Sequence, residues 1–141
     1  MVKVIFSINN NEEVLVLPMV PTDFGLDSAQ NNDTFQGLSR DYNTIGTMGL
    51  WQMSWSGIFP VGHRYGFMPA DAETDGWKCV SFFERNRPRK LPFRIILLDS
   101  GGVCRLNSPC TVDDFGWRVQ RNGDISYSIS VREYRFVSGV Q

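Results

Sequence analysis

Val2, Val4, Phe6 and Ile8 alternate with Lys3 and Ser7, the period-two pattern of a half-buried strand. Asn9-Asn10-Asn11 predicts a turn, and Glu12 to Leu17 the returning strand, stopped by Pro18. Pro21-Thr22-Asp23 predicts a second turn. From Phe24 to Ile45 the chain is polar and rich in Asn, Asp and Gly, which predicts one or two weak strands around a long exposed loop. Gly49 to Phe59 is a stronger strand. Trp51, Met53 and Trp55 fall on one side of it, Gln52, Ser54 and Ser56 on the other, and Pro60 closes it because proline has no N–H for a ladder.

One helix is predicted between about Asp71 and Asn86. Asp71, Glu73 and Asp75 sit at its start and Arg85 and Arg87 at its end, which suits the helix dipole at both termini. Trp77, Cys79, Val80, Phe82 and Phe83 form its apolar arc, Gly76 weakens its first turn, and Pro88 stops it. Phe93 to Leu98, an apolar run between Pro92 and Asp99-Ser100-Gly101-Gly102, predicts a strand buried on both faces, with Val103 to Leu106 as a short partner.

The last hairpin can be derived in register. Phe115, Trp117 and Val119 share one face of its first strand; Ile125, Tyr127, Ile129 and Val131 share one face of its second. A two-residue Asn122-Gly123 loop would put these sets on opposite faces. A three-residue loop, Arg121-Asn122-Gly123 with Gly123 left-handed, pairs Val119 with Ile125 and Trp117 with Tyr127, so the faces agree. Seven to nine strands and one helix make an α+β, mainly β domain. The predicted architecture is a split barrel or sandwich over residues 1–141, with no composition break for a linker.

Composition narrows the function classes. With 141 residues, 13% aromatic, the chain is long enough for one core and too aromatic for disorder. A net charge of −1 gives no overall attraction to nucleic acid or anionic lipid. No apolar run approaches the ~20 residues of a membrane helix. The N-terminus reads as a strand and not as a signal peptide, which predicts synthesis in a host cytoplasm.

Candidate chemistry is sparse. His63, the single histidine, lies in a Val61-Gly62-His63-Arg64-Tyr65 loop with no orienting acid assignable from spacing. Asp113-Asp114 are neighbours, facing opposite sides in a strand or marking a bulge. Cys104 and Cys110 could face each other across a short hairpin, but a cytoplasmic origin argues against a disulfide, and Cys79 reads as a small core residue. Three cysteines and His63 without a C-x-x-C pair do not make a zinc site, and no phosphate-binding glycine loop is present. No catalytic residue, metal or cofactor is predicted. Arg85, Arg87, Arg89, Lys90 and Arg94 form a basic run opposite the acidic Asp71, Glu73 and Asp75; such clusters at two ends of one helix could meet between copies in a ring. Trp51, Trp55, Trp77 and Trp117 each fit core packing.

The order of short motifs resembles a known family. Phe6-Ser7-Ile8-Asn9-Asn10-Asn11-Glu12-Glu13, Leu17-Pro18-Met19-Val20-Pro21, Thr44-Ile45-Gly46, Ile58-Phe59-Pro60, Leu91-Pro92-Phe93-Arg94-Ile95-Ile96 and Glu133-Tyr134-Arg135 are similar to segments of LysM-bearing tail proteins. These belong to contractile-tailed phages and phage-like elements of Gram-positive bacteria. A LysM domain usually follows this region and here the chain stops at Gln141, so peptidoglycan binding is not carried over. The resemblance implies a structural, non-enzymatic ring, six copies by family inference. It would initiate a tail tube or sit near the baseplate hub, with the tube protein and hub or spike proteins as partners and neither membrane nor nucleic acid required. The chain would assemble in the host cytoplasm and end in the virion or tail-like particle. The exposed residues expected to carry contacts are Gln30, Asn31, Asn32, Asp33, Gln36 and Arg40 of the long loop, with Asp71, Glu73, Asp75, Arg85, Arg87, Arg89 and Lys90 of the charged clusters. Two rivals remain: a β-barrel binding carbohydrate or oligonucleotide, favoured if Trp51 or Trp55 is exposed, and an enzyme using His63, favoured if a pocket holds His63 beside a carboxylate.

Overall fold

A computed structural model describes residues 2–20, 25–66 and 68–136; the predicted turn at Pro21-Thr22-Asp23 lies outside them. Among the described residues there are eight strands and one α-helix: β1 (Lys3–Ile8), β2 (Glu13–Val16), β3 (Asp33–Gln36), β4 (Asp41–Thr44), β5 (Gln52–Phe59), α1 (Gly76–Asn86), β6 (Phe93–Leu98), β7 (Cys104–Val119) and β8 (Ile125–Glu133). Six of them form one antiparallel sheet in the order β2-β1-β6-β7-β8-β5, and β3 and β4 form a separate pair. The domain is α+β and mainly β, and its sheets are not closed.

Period two decides which face is buried. Val4, Phe6 and Ile8 of β1, Phe93 and Ile95 of β6, Ile125, Tyr127, Ile129 and Val131 of β8, and Met53, Trp55 and Phe59 of β5 all turn inward onto Cys79, Val80, Phe82 and Phe83 of α1. The sheet curls around this filling. Phe6 and Trp55, from strands four places apart in the order, stack with ring centroids 6.2 Å apart. The Asn9, Asn10 and Asn11 turn between β1 and β2 places all three residues at positive φ, a conformation asparagine tolerates.

The β7–β8 hairpin has the derived register: Val119 faces Ile125, Trp117 faces Tyr127, and Gly123 sits at φ 95° in a loop closed by the Gln120 N–H on the Asp124 carbonyl, 2.7 Å. A register shift between Val112 and Asp114 leaves Asp113 as the extra residue, so Val112 and Phe115 share the inner face.

Four expectations need correction. The helix starts at Gly76 with Asp75 as its N-cap, accepting from the Trp77 N–H at 3.1 Å, so Asp71 and Glu73 precede the helix. Gly76 itself is required by close approach: a Cβ there would lie 2.9 Å from the Phe59 carbonyl oxygen and 3.0 Å from that of Pro60. The Val103 to Leu106 segment does pair with β6, Leu106 opposite Leu97 and Cys104 opposite Leu98, but as the start of a longer strand. The chain runs on from Cys104 as one 16-residue strand through Pro109 to Val119. Cys104 and Cys110 are therefore six residues apart along extended chain, roughly 20 Å, far beyond disulfide reach. Finally, β6 is sealed on one face only, since Arg94 points outward and is exposed.

Candidate assembly interface

The long polar segment is a β-ribbon. It leaves the free edge of β5 through paired hydrogen bonds between Asp27 and Gln52 (3.2 and 3.0 Å), continues through Gly49 N–H to the Ala29 carbonyl (2.6 Å) and Asn31 N–H to that of Thr47 (2.7 Å), and ends in β3 and β4. The Gly37 N–H on the Arg40 carbonyl, 2.7 Å, closes its tip. Gln30 and Asn32 hold the middle from their side chains, Gln30 Nε2 donating to the Gly46 carbonyl (2.9 Å) and Asn32 Oδ1 accepting from the Gly46 N–H (2.8 Å). Here too only glycine fits: a Cβ on Gly46 would overlap the Asn31 carbonyl oxygen at 1.5 Å. Asp33 and Gln36 bound β3, opposite Thr44 and Asp41.

Almost nothing on this ribbon is buried. Leu38 at the tip is fully exposed, Ile45 is 77% exposed, and Leu26, Met48 and Leu50 are each exposed by more than two-fifths. From Asp27 to the tip is about ten residues, or ~30 Å of extended chain. Arg135 grips its root, donating to the carbonyls of Met48 and Gly49 at 3.1 Å each.

The charged clusters lie elsewhere and are largely occupied within the chain. Arg85 pairs with Glu13, Nη1 donating to Oε2 at 3.1 Å. Arg89 donates to Glu12 and to Asn86 Oδ1, both at 3.1 Å. Arg87 donates to the Val112 carbonyl (3.2 Å) and the Asp113 carbonyl (3.0 Å). These contacts fasten the end of α1 to the β1–β2 turn on one side and to the β7 bulge on the other. The Asn9 amide and Arg89 lower the Glu12 carboxyl below its ordinary value, and the Arg85 hydrogen bond does the same for Glu13. At the other end Asp71 pairs with Lys3 at 3.0 Å, Glu73 Oε1 accepts from the N–H groups of Thr74 and Asp75, and Asp75 caps the helix. Lys90 forms no ion pair among the described residues and lines a cleft of about 590 Å³ with Glu84, Leu91 and Tyr134.

The His63 environment corrects the sequence reading. Its Nε2 lies 3.4 Å from Oδ2 of Asp124, a carboxylate only 1% exposed, which also accepts from the Tyr65 hydroxyl (2.7 Å) and the Val61 N–H (3.1 Å). Burial pulls the Asp124 carboxyl up, but the Tyr65 hydroxyl, the Val61 N–H, His63 and Asn122 outweigh it and hold the group below the ordinary range. The other ring nitrogen, Nδ1, lies 3.1 Å from the Val61 carbonyl oxygen. His63 thus lies beside a buried carboxylate, the condition set above for the enzyme reading, and it lines a cleft with Asp75 and Trp77. The cluster ties the 61–65 loop to the start of β8. The loop predicted from the sequence, Arg121-Asn122-Gly123, ends one residue before Asp124, which no local pattern marks out.

The tryptophans divide in two. Trp51 and Trp55 are each 8% exposed, with Trp55 Nε1 donating to the Tyr127 hydroxyl at 3.1 Å, so neither offers a sugar or base platform. Trp77 and Trp117, expected in the core, are 43% and 38% exposed and pack edge to face with centroids 5.2 Å apart. The late helix start explains Trp77: it belongs to the first turn, at the rim.

With this geometry in place, comparison with known proteins adds one finding. The chain is similar in fold to a prophage baseplate protein. The match is to a chain of the anti-feeding prophage baseplate, a cryo-EM structure with six-fold symmetrisation; the TM-score is 0.52 at 14% identity, over 95% of this chain and 89% of that one. No family model matches the sequence, and a search of curated proteins returns no match.

Proposed function

We propose that the chain is a structural component of a phage tail or tail-like particle, forming a ring where the tail tube meets the baseplate hub. The observation that carries this is the likeness in fold, over nearly the whole chain, to a protein of a six-fold symmetrised baseplate. The β-ribbon supports it independently. A two-stranded ribbon is marginal in water on its own, and one that stands ~30 Å clear with Leu38 and Ile45 unburied fits a surface completed by assembly.

In this reading the chain acts by assembly and not by catalysis. Six copies would close the ring, with the tube protein on one side and hub or spike proteins on the other. The subunit assembles in the host cytoplasm and remains in the particle. The contact of His63 with Asp124 is the observation an enzyme reading would start from, and on the structural reading His63→Ala leaves particle assembly intact.

The test is quantitative mass spectrometry of purified tails from a producing host, against an isotope-labelled standard of this chain. The expected result is about six copies per particle, in step with the other baseplate proteins. Absence from particles that carry a complete tube and baseplate refutes the proposal.

A further inference from the structure

Two exposed apolar surfaces of this chain lie at opposite ends of the same sheet. One is the β-ribbon, which springs from the Gln52 end of β5, where β8 finishes at Glu133. The other is the Trp77–Trp117 pair. Trp117 faces Tyr127, which faces Gly57, and the bridge between Asp75 and Val61 places the start of α1 just beyond Phe59. Trp117 lies level with Gly57, five residues or roughly 17 Å along β5 from Gln52. The ribbon extends away from the tryptophans, so a chain cannot cover its own aromatic pair with its own ribbon.

We propose that the ribbon tip of one copy seats beside Trp77 and Trp117 of the next. This deepens the ring reading above and rests on it. Trp77 lines a cleft of about 690 Å³ with Val61, Gly62, His63, Arg64 and Thr74, ample for a leucine side chain, and Leu38 is the apolar residue most completely exposed on the ribbon. Charge runs the same way. The ribbon carries Asp27, Asp33 and Asp41 against the single cation Arg40. The cleft beside Trp77 is lined by the cation Arg64, and the one carboxylate lining it, Asp75, is engaged as the helix cap. A donor at one end of the subunit and an acceptor at the other make a heterologous contact, and repeating such a contact closes a ring. The occupant is therefore a second copy of this chain.

Cysteine cross-linking tests the contact. Leu38→Cys and Thr74→Cys are introduced together in a Cys104→Ser background, both positions being exposed and Cys104 being the exposed native thiol. Mild oxidation is applied to purified particles and to the isolated chain at high concentration, with circular dichroism confirming the fold. The expected result is a ladder of cross-linked species ending at the closed ring, with each single-cysteine control remaining unlinked. Leu38→Asp should lower incorporation into particles at least tenfold while leaving the monomer folded. Absence of the cross-link both in particles containing several copies and in concentrated solution overturns the proposal, as does linkage of Leu38→Cys to itself, which would mean ribbon-to-ribbon pairing. A ladder in solution from a chain that never enters a particle would keep this contact and sink the tail reading, so the two failures are distinguishable.

Discussion

Trp117 and Tyr127 are cross-strand partners on one face of the sheet, yet they should differ sharply on truncation. Tyr127 is 3% exposed, stacks on Phe59 with ring centroids 3.9 Å apart and planes 7° from parallel, and accepts the Trp55 indole N–H. Tyr127→Ala removes the transfer energy of a buried ring, opens a cavity, and leaves that N–H without a partner, for about 4–5 kcal/mol in all. Trp117 is 38% exposed and packs edge to face on Trp77, itself exposed, so Trp117→Ala leaves no closed cavity and should cost about 1–2 kcal/mol. For a domain of this length ~1 kcal/mol moves the melting temperature by roughly 2–4 °C. Thermal and urea melts should therefore separate the two variants by several degrees, with Tyr127→Phe well short of Tyr127→Ala at about 1–2 kcal/mol for the orphaned indole N–H. Equal losses for Trp117→Ala and Tyr127→Ala would show that the aromatic pair belongs to the core and would remove its role as a docking surface.

Three further outcomes follow from the same geometry. Cys79 and Cys110 are buried, and burial pushes both thiols up to about 12, whereas Cys104 is exposed. A thiol reagent should label one cysteine in the folded chain and three after denaturation, and fast labelling of Cys110 in the native state would contradict the continuous β7. Glu13 and Asp71 have carboxyls lowered by Arg85 and Lys3 respectively; such groups stabilise the fold fully above their unfolded values near 4 and lose that contribution as pH falls through the lowered ones. Both pairs are well solvated, so each is worth below about 1 kcal/mol, and urea melts between pH 5 and pH 3 should show a small, salt-sensitive loss. No loss across that range would mean the pairs contribute nothing. Gly46→Ala should speed hydrogen exchange at Asn31 and Gly49 while leaving the main melting transition in place, because its Cβ would strike the Asn31 carbonyl and the ribbon has no core of its own. Unchanged exchange there would refute the pairing drawn for the ribbon.

How much of this was legible in the sequence depends on whether one periodicity or one turn decided the matter. The inward faces of β1, β5 and β8 follow from alternation alone, and the β7–β8 register follows from requiring two apolar faces to agree. What failed needed tertiary information. Asp71 and Glu73 look like first-turn acids until the approach of Gly76 to Phe59 fixes where the helix begins. Trp77 and Trp117 look like core because apolar periodicity cannot tell the middle of a sheet from its rim. The short hairpin between Cys104 and Cys110 does not form because β7 runs straight through Pro109, which is accommodated opposite Arg94 of β6. The partnership of His63 with Asp124 joins residues 61 apart in sequence, and no local pattern announces it. The loop and charged residues proposed for contacts divide by what already holds them: Arg85, Arg87 and Arg89 secure the end of α1, so reversing their charge would loosen the fold as well as any interface. The ribbon tip is the cleaner place to perturb assembly.

The most direct test of the ring at the tube–baseplate junction is a cryo-EM map of the intact particle from the organism that makes this chain. The predicted result is density for the chain as a closed ring around the tail axis, next to the first layer of tube, with each ribbon reaching over its neighbour. Density away from the axis, or a single copy per particle, would contradict it.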